Sequence, residues 1–301
     1  MSEMFPKNKN FTHFNRKFLI NSLVKEYDFL FSGKIGQSLC GRSIDFIRLG
    51  NPNKSNLWVC AHHGMEWLTS MVVLKFLKEV CEKIKNKQCF CGIDLEKKFD
   101  EKGLVIIPCL NPDGVDISLQ GSAAAGNFYR FVEMSCRGKS KFWQANARGV
   151  DLNHNYSAGW NELHKLEIKN GIVKPCSTRF GGARPLSEPE TIYLTNFCKK
   201  NNFSSAIAFH SQGEEIYWDF GPKTPKNSLE IAEILAVASG YTVSKPEGLA
   251  VGGGFKDWFI ETFGKPAFTI ELGKGQNPLP ASDLDSVYKK AEKMLYIASF
   301  I

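Results

Sequence analysis

The sequence has no run approaching the roughly 20 apolar residues of a membrane span; Met71-Val72-Val73-Leu74 is stopped at Lys75. Its first ten residues are polar and break at Pro6, without the roughly 7–15 residue apolar segment of a secretory signal. The expectation is therefore a protein with no membrane partner, resident in the cytoplasm. Cysteine pairing is also lacking. The nine cysteines are an odd number, Cys60, Cys109 and Cys198 sit in or beside apolar segments where a thiol is a small hydrophobe, and Cys89-Phe90-Cys91 has no second pair to make a structural zinc knuckle. There is no Pro/Ser-rich linker, no internal repeat and no phosphate-binding glycine pattern around Gly252-Gly253-Gly254. The charge excess of +7 is not a block of one sign. Lys83, Lys85 and Lys87 alternate with other residues at a helix end, which suits a solvated face and the helix dipole. Nucleic acid is excluded as the expected partner, and anionic small substrates are favoured.

What is present is enough chain, at 301 residues and 43% hydrophobic content, for one large α/β domain. Apolar residues recur at helical spacing over 14–31 (Phe18, Leu19, Leu23, Tyr27, Leu30) and again over 67–84. Residues 35–49 read as a β-hairpin, and 56–61, 104–109, 205–209, 241–243 and 267–272 as strands; the second and third of these runs are apolar enough to be buried on both faces. Residues 86–103 read as a surface insertion, Asn111-Pro112-Asp113-Gly114 as a turn, and 118–182 as a long polar stretch of the functional kind. Ser187-Glu188-Pro189-Glu190 has the form of a capping box opening a helix to about Lys200. Helices over 227–239, 254–263 and from Asp283 complete an alternation that specifies a three-layer α/β/α fold with a central mixed, twisted sheet. A helical segment over 1–34 is expected to pack on a domain spanning 35–301.

Chemistry concentrates at Ala61-His62-His63-Gly64-Met65-Glu66-Trp67, where a strand opens into a helix. His63 and Glu66 are three residues apart, and a tight loop entering a helix lets such residues converge on one metal ion. His62 lacks that spacing and reads as a neighbour. Taken alone, H-x-x-E is equally a helix-capping His with a first-turn Glu. His210 ends another apolar strand and could complete a ligand set of three. Glu271, in Thr269-Ile270-Glu271-Leu272-Gly273, ends a third. A carboxylate there is costly unless a cation faces it, whereas a catalytic carboxylate needs only a metal-activated water to deprotonate.

These segments together resemble the zinc carboxypeptidase family: His63-x-x-Glu66, Asn111-Pro112-Asp113-Gly114, Gly149-Val150-Asp151-Leu152-Asn153, Ser187-Glu188-Pro189-Glu190, His210-Ser211-Gln212-Gly213 and Glu271 occur in the family's order and approximate spacing over residues 35–300. The segments from His210 to Trp218 and from Phe268 to Gly275 look most like the bacterial γ-D-glutamyl-diamino acid peptidases, which act on murein peptides. The resemblance implies one zinc ion on His63, Glu66 and His210, with Glu271 activating the attacking water and passing its proton to the leaving amine. It implies a murein-derived peptide as substrate. A metallocarboxypeptidase of broader specificity and a non-catalytic zinc- or peptide-binding protein of the same fold are the competing readings.

The departures from the family concern substrate. Its oxyanion arginine falls at Gln144, so either the Gln144 amide or the nearby Arg148 would serve. Its clamp for a terminal carboxylate, Asn-Arg, is Asn153-His154 here, and imidazole cannot reproduce a bidentate guanidinium. The lid tyrosine is absent from the segment before Gly252. Lys256 falls where the family lines the pocket for the leaving residue; it reads either as a cation for an acidic diamino acid or as a helical lysine paired with a nearby acid. Trp58, Trp67 and Trp258 read as core or pocket wall, and Asp151 as a buried turn residue ordering the Asn153 loop.

Overall fold

The computed structural model describes residues 11–301; the first ten residues, on which the reading of the amino terminus rests, lie outside it. The chain runs α1 (His13–Glu26), β1 (Leu30–Gln37), β2 (Ser43–Leu49), β3 (Ser55–Cys60), α2 (Leu68–Lys85), α3 (Leu95–Glu101), β4 (Gly103–Ile107), α4 (Pro112–Gln120), α5 (Tyr129–Cys136), α6 (Trp160–Lys169), α7 (Pro189–Lys200), β5 (Ala206–His210), β6 (Glu215–Tyr217), α8 (Ser228–Ser239), β7 (Thr242–Ser244), α9 (Phe255–Phe263), β8 (Ala267–Glu271) and α10 (Leu284–Ser299). The strands form one eight-stranded mixed sheet in the order β1-β2-β4-β3-β5-β8-β6-β7.

Its central strands β4, β3, β5 and β8 are parallel and β3 is buried at all six positions. Strand periodicity divides their side chains between two cores. Trp58, Cys60, Ile207, Phe209, Phe268 and Ile270 pack toward α1, α2, α8 and α10; Leu57, Val59, Ala206, Ala208 and Ala267 pack toward α7 and α9. The result is the three-layer α/β/α arrangement that the alternation specifies. A boundary at 34/35 would cut through β1, which pairs with β2 along its length, and Leu19, Ile20 and Leu23 of α1 belong to the same core as the sheet. The amino-terminal helix is built into this domain.

Four local expectations are corrected. Residues 86–103 contain α3, whose Leu95 and Phe99 are buried. The long polar stretch contains α5 and α6, each too short for its periodicity to stand out. Asn111-Pro112-Asp113-Gly114 starts α4: Asn111 Oδ1 accepts from the Gly114 amide at 2.8 Å, with Pro112 in the first turn, because a type I turn and a helix start use the same residues. Among the described residues, no helix is long and apolar enough to cross a membrane.

The fourth correction is the capping box. α7 starts without a side-chain cap; Ser187 instead donates to Glu188 Oε1 at 2.7 Å, and Glu190 turns into the core. Burial first, then the carboxylates of Asp113 and Glu188, push Glu190 up to about 8, and its Oε1 has no hydrogen-bond partner among the described residues. The folded protein thus holds a proton that the unfolded chain releases near the ordinary carboxylate value, so stability falls as pH rises through about 8. Glu190→Gln is expected to raise Tm by a few degrees at about pH 9 and to change it little at about pH 5. Equal shifts at both pH values in thermal melts would refute a protonated Glu190.

Candidate active site

Three strand ends meet at one point. Parallel neighbours β5 and β8 are in a register that sets His210 opposite Glu271, and β3, on the other side of β5, ends at Cys60. Beyond it Ala61 takes a left-handed backbone, φ 50°, and the chain turns through Gly64–Glu66 into α2. The turn is pressed against the start of α4: a Cβ on Gly64 would lie 2.3 Å from the Gly114 carbonyl oxygen, so only glycine fits. Asn111 ties the same region together, its Nδ2 donating to the carbonyls of His62 at 2.9 Å and Ala145 at 3.1 Å.

His63, Glu66 and His210 come together as the notional ligand set. One ligand atom of each lies within 4.8 Å of the others; His63 Nδ1 is 2.8 Å from Glu66 Oε1, and His210 Nδ1 is 2.9 Å from Glu66 Oε2. All three are buried. Asp151 accepts from four directions: His63 Nε2 at 3.1 Å and the Asn153 amide at 3.1 Å on Oδ1, Gln144 Nε2 at 2.8 Å and the Arg179 amide at 3.0 Å on Oδ2. It orders the Asn153 loop as expected, but it also fixes the His63 ring, a role that turn-residue reasoning missed. His62 is a fully buried neighbour, 3.2 Å from the Tyr156 hydroxyl, and burial, with His210 and His63 adding to it, lowers its pKa well below the usual range.

The electrostatics call for a cation. Burial opposes charge on Glu66, yet His63 and His210 outweigh it and hold the carboxyl down at about 2. Asp151 is likewise held well below the carboxylate range, against its burial, mainly by His63 and His154. Burial opposes charge on His63 too, but Glu66 and Asp151 raise its pKa well above the usual value. Two buried carboxylates facing two imidazoles are short of positive charge, which His63 itself must carry unless a metal ion takes that place. Two imidazole nitrogens and a carboxylate oxygen are a donor set suited to catalytic zinc, and the Asp151 contact supplies the usual orienting carboxylate behind a ligating histidine. The residues present fit the metal.

A cleft of about 510 Å³ opens over this cluster, lined by Gln144, Asn153, His154, Arg179, Lys256 and Glu271 among others. Burial and then the Glu66 carboxylate raise Glu271 well above the carboxylate range. Asn153 Oδ1 accepts from the Phe255 amide at 3.0 Å and so anchors the start of α9. His154 Nδ1 is 2.8 Å from the buried Glu167 of α6. Lys256 is 5% exposed, its ammonium donating to the Asp257 carboxylate and to the Asp219 carbonyl oxygen; it is paired with an acid, though buried rather than at the surface, and it lines the cleft. Arg148 is corrected: its guanidinium is held by Glu188, 3.0 Å away, and it is not among the cleft residues, because Glu188 is a buried carboxylate needing a partner. Sequence reasoning missed Arg179 and Tyr217. Arg179 sits in a loop without periodicity, and Tyr217 is on β6, a three-residue strand too short to register as one. Trp58, Trp67 and Trp258 are buried in the core, as expected.

Comparison with known proteins agrees with this geometry. The γ-D-glutamyl-L-diamino acid endopeptidase 1 of Lysinibacillus sphaericus is 33% identical over 274 residues, covering 90% of this chain and 68% of that protein. Among solved structures, thrombin activatable fibrinolysis inhibitor superposes with a TM-score of 0.75 at 19% identity, over 96% of this chain and 73% of that one. The murein-tripeptide amidase MpaA of Escherichia coli O157 does so with a TM-score of 0.53 at 20% identity, over 87% and 91%. The family model described as zinc carboxypeptidase matches residues 19–294; the chain belongs to that family and is a zinc metallopeptidase.

Proposed function

We propose that the protein hydrolyses the amide bond between a γ-linked D-glutamyl residue and a diamino acid in murein-derived peptides. The observation that carries this reading is at position 154. An ordinary carboxypeptidase needs a guanidinium fork there for the terminal carboxylate, and this chain has an imidazole whose Nδ1 is engaged by Glu167. The likeness to a γ-D-glutamyl-L-diamino acid endopeptidase over most of the chain supports the same reading, as does the fold shared with a murein-tripeptide amidase.

In this proposal His63, Glu66 and His210 hold the zinc ion, which when bound supplies a Lewis acid that acidifies water and polarises an amide carbonyl. Glu271 accepts the proton of the attacking water and delivers it to the leaving amine. Its environment suits a proton carrier, since desolvation and Glu66 favour the protonated form and a nearby dication would favour the ionised one. Gln144 is the neutral donor beside the developing oxyanion: one amide hydrogen is committed to Asp151 and the second remains for substrate. Asn153 and His154 border the substrate, and Lys256, sharing its ammonium with Asp257, meets an acidic group of the diamino acid. We place the reaction in the cytoplasm, a compartment that suits nine free thiols, two of them exposed.

Assay of L-Ala-γ-D-Glu-meso-diaminopimelate beside ordinary L-peptides tests the substrate assignment. Release of the diamino acid from the first with little cleavage of the second is expected; the reverse preference would favour a broad carboxypeptidase. Glu271→Gln should retain zinc and lose roughly 10²–10⁴-fold in kcat, and full activity in that variant would remove Glu271 from the reaction. Asp151→Asn should weaken zinc binding by about 10–100-fold in a chelator competition titration; an unchanged Kd would mean that the contact with His63 does not support the metal.

A further inference from the structure

The cleft contains a charged group that the chemistry above leaves unused. Arg179, between α6 and α7, is exposed and lines the cleft together with Gln144, Asn153 and Glu271. Its backbone is left-handed, φ 65°, a conformation that residues with a Cβ rarely adopt. The amide N–H holds it there by donating to Asp151 Oδ2 at 3.0 Å, the oxygen that also accepts from Gln144 Nε2 at 2.8 Å. Arg179 is thus anchored next to the residue proposed to face the scissile carbonyl. Among the described residues no carboxylate is paired with its guanidinium, whereas the other cleft cation, Lys256, is buried against Asp257. An unpaired guanidinium carried on a backbone anchored beside Gln144 is suited to a carboxylate of the substrate.

The γ-linkage supplies one. A D-glutamyl residue joined through its side chain keeps its α-carboxylate free, three carbon atoms from the scissile carbonyl, where an α-linked peptide carries a charge only if the residue there is itself glutamate. We propose that Arg179 is a specificity-determining residue that captures this free α-carboxylate on the acyl side of the bond. The inference rests on the proposed function and goes beyond it by naming the acyl-side group that the cleft holds.

The test compares two substrates in the zinc-loaded full-length protein: L-Ala-γ-D-Glu-meso-diaminopimelate and its counterpart in which the glutamyl α-carboxylate is a carboxamide. Wild type should prefer the carboxylate by roughly tenfold or more in kcat/KM, the scale of one charge-assisted hydrogen-bonded pair. In Arg179→Asn, chosen because Asn tolerates the left-handed backbone, the ratio should collapse to near one, and Arg179→Lys should recover part of it at unchanged zinc content. A wild-type ratio near one, or a ratio that survives in both variants, would overturn the inference alone. Cleavage of neither murein substrate by a wild-type protein that does cleave ordinary peptides would sink the functional reading and this inference with it.

Discussion

The structure depends on a shortage of positive charge at the carboxyl ends of three parallel strands. β3, β5 and β8 deliver His63 with Glu66, His210 and Glu271 to one place because parallel strands in register end level, and Asp151 is brought against them from a loop. Burying two ionised carboxylates would be prohibitive without a partner. The imidazoles meet part of that demand, holding Glu66 down at about 2, and a dication meets the rest. Much of the surrounding loop structure is arranged so that this cluster cannot relax: Gly64 presses on the Gly114 carbonyl, Asn111 spans from His62 to Ala145, and Glu188 accepts from the Asn146 amide and pairs with Arg148.

The substrate side follows a different logic. The charge that a carboxypeptidase uses to recognise a chain terminus is missing at His154, and the cations available are displaced from that position: Lys256 at the start of α9, shared with Asp257, and Arg179 in the loop before α7, unshared. In the function proposed above, moving cations within a fixed metal frame changes which carboxylates a substrate must carry without disturbing the chemistry at its carbonyl. This separation is available because the metal-binding residues follow strand ends, while His154, Arg179 and Lys256 come from separate loop and helix-start segments.

How much of this was legible in the sequence follows from the same division. His63, Glu66, His210 and Glu271 stand out because polar groups ending apolar runs violate the pattern around them, and the sheet then places them by register. Arg148 and Gln144 could not be separated by sequence, since the choice depends on Glu188 being buried beside the arginine. Asn111-Pro112 was ambiguous because turns and helix starts share residues, and Ser187-x-x-Glu190 mimicked a cap while Glu190 was being drawn into the core by the packing of α7. Arg179 left no signal: an exposed cation in a polar loop acquires meaning only when a fold brings Asp151 to its amide.

The central claim is that two imidazoles and one carboxylate from two separate segments, the His63–Glu66 turn and the end of β5, form a single zinc site. X-ray absorption spectroscopy of the zinc-loaded protein tests it most directly. One zinc per chain in an all nitrogen and oxygen environment with two imidazoles is the result expected, with one imidazole lost in His210→Ala. Sulfur scattering from a cysteine ligand, or an unchanged spectrum in that variant, would contradict the account.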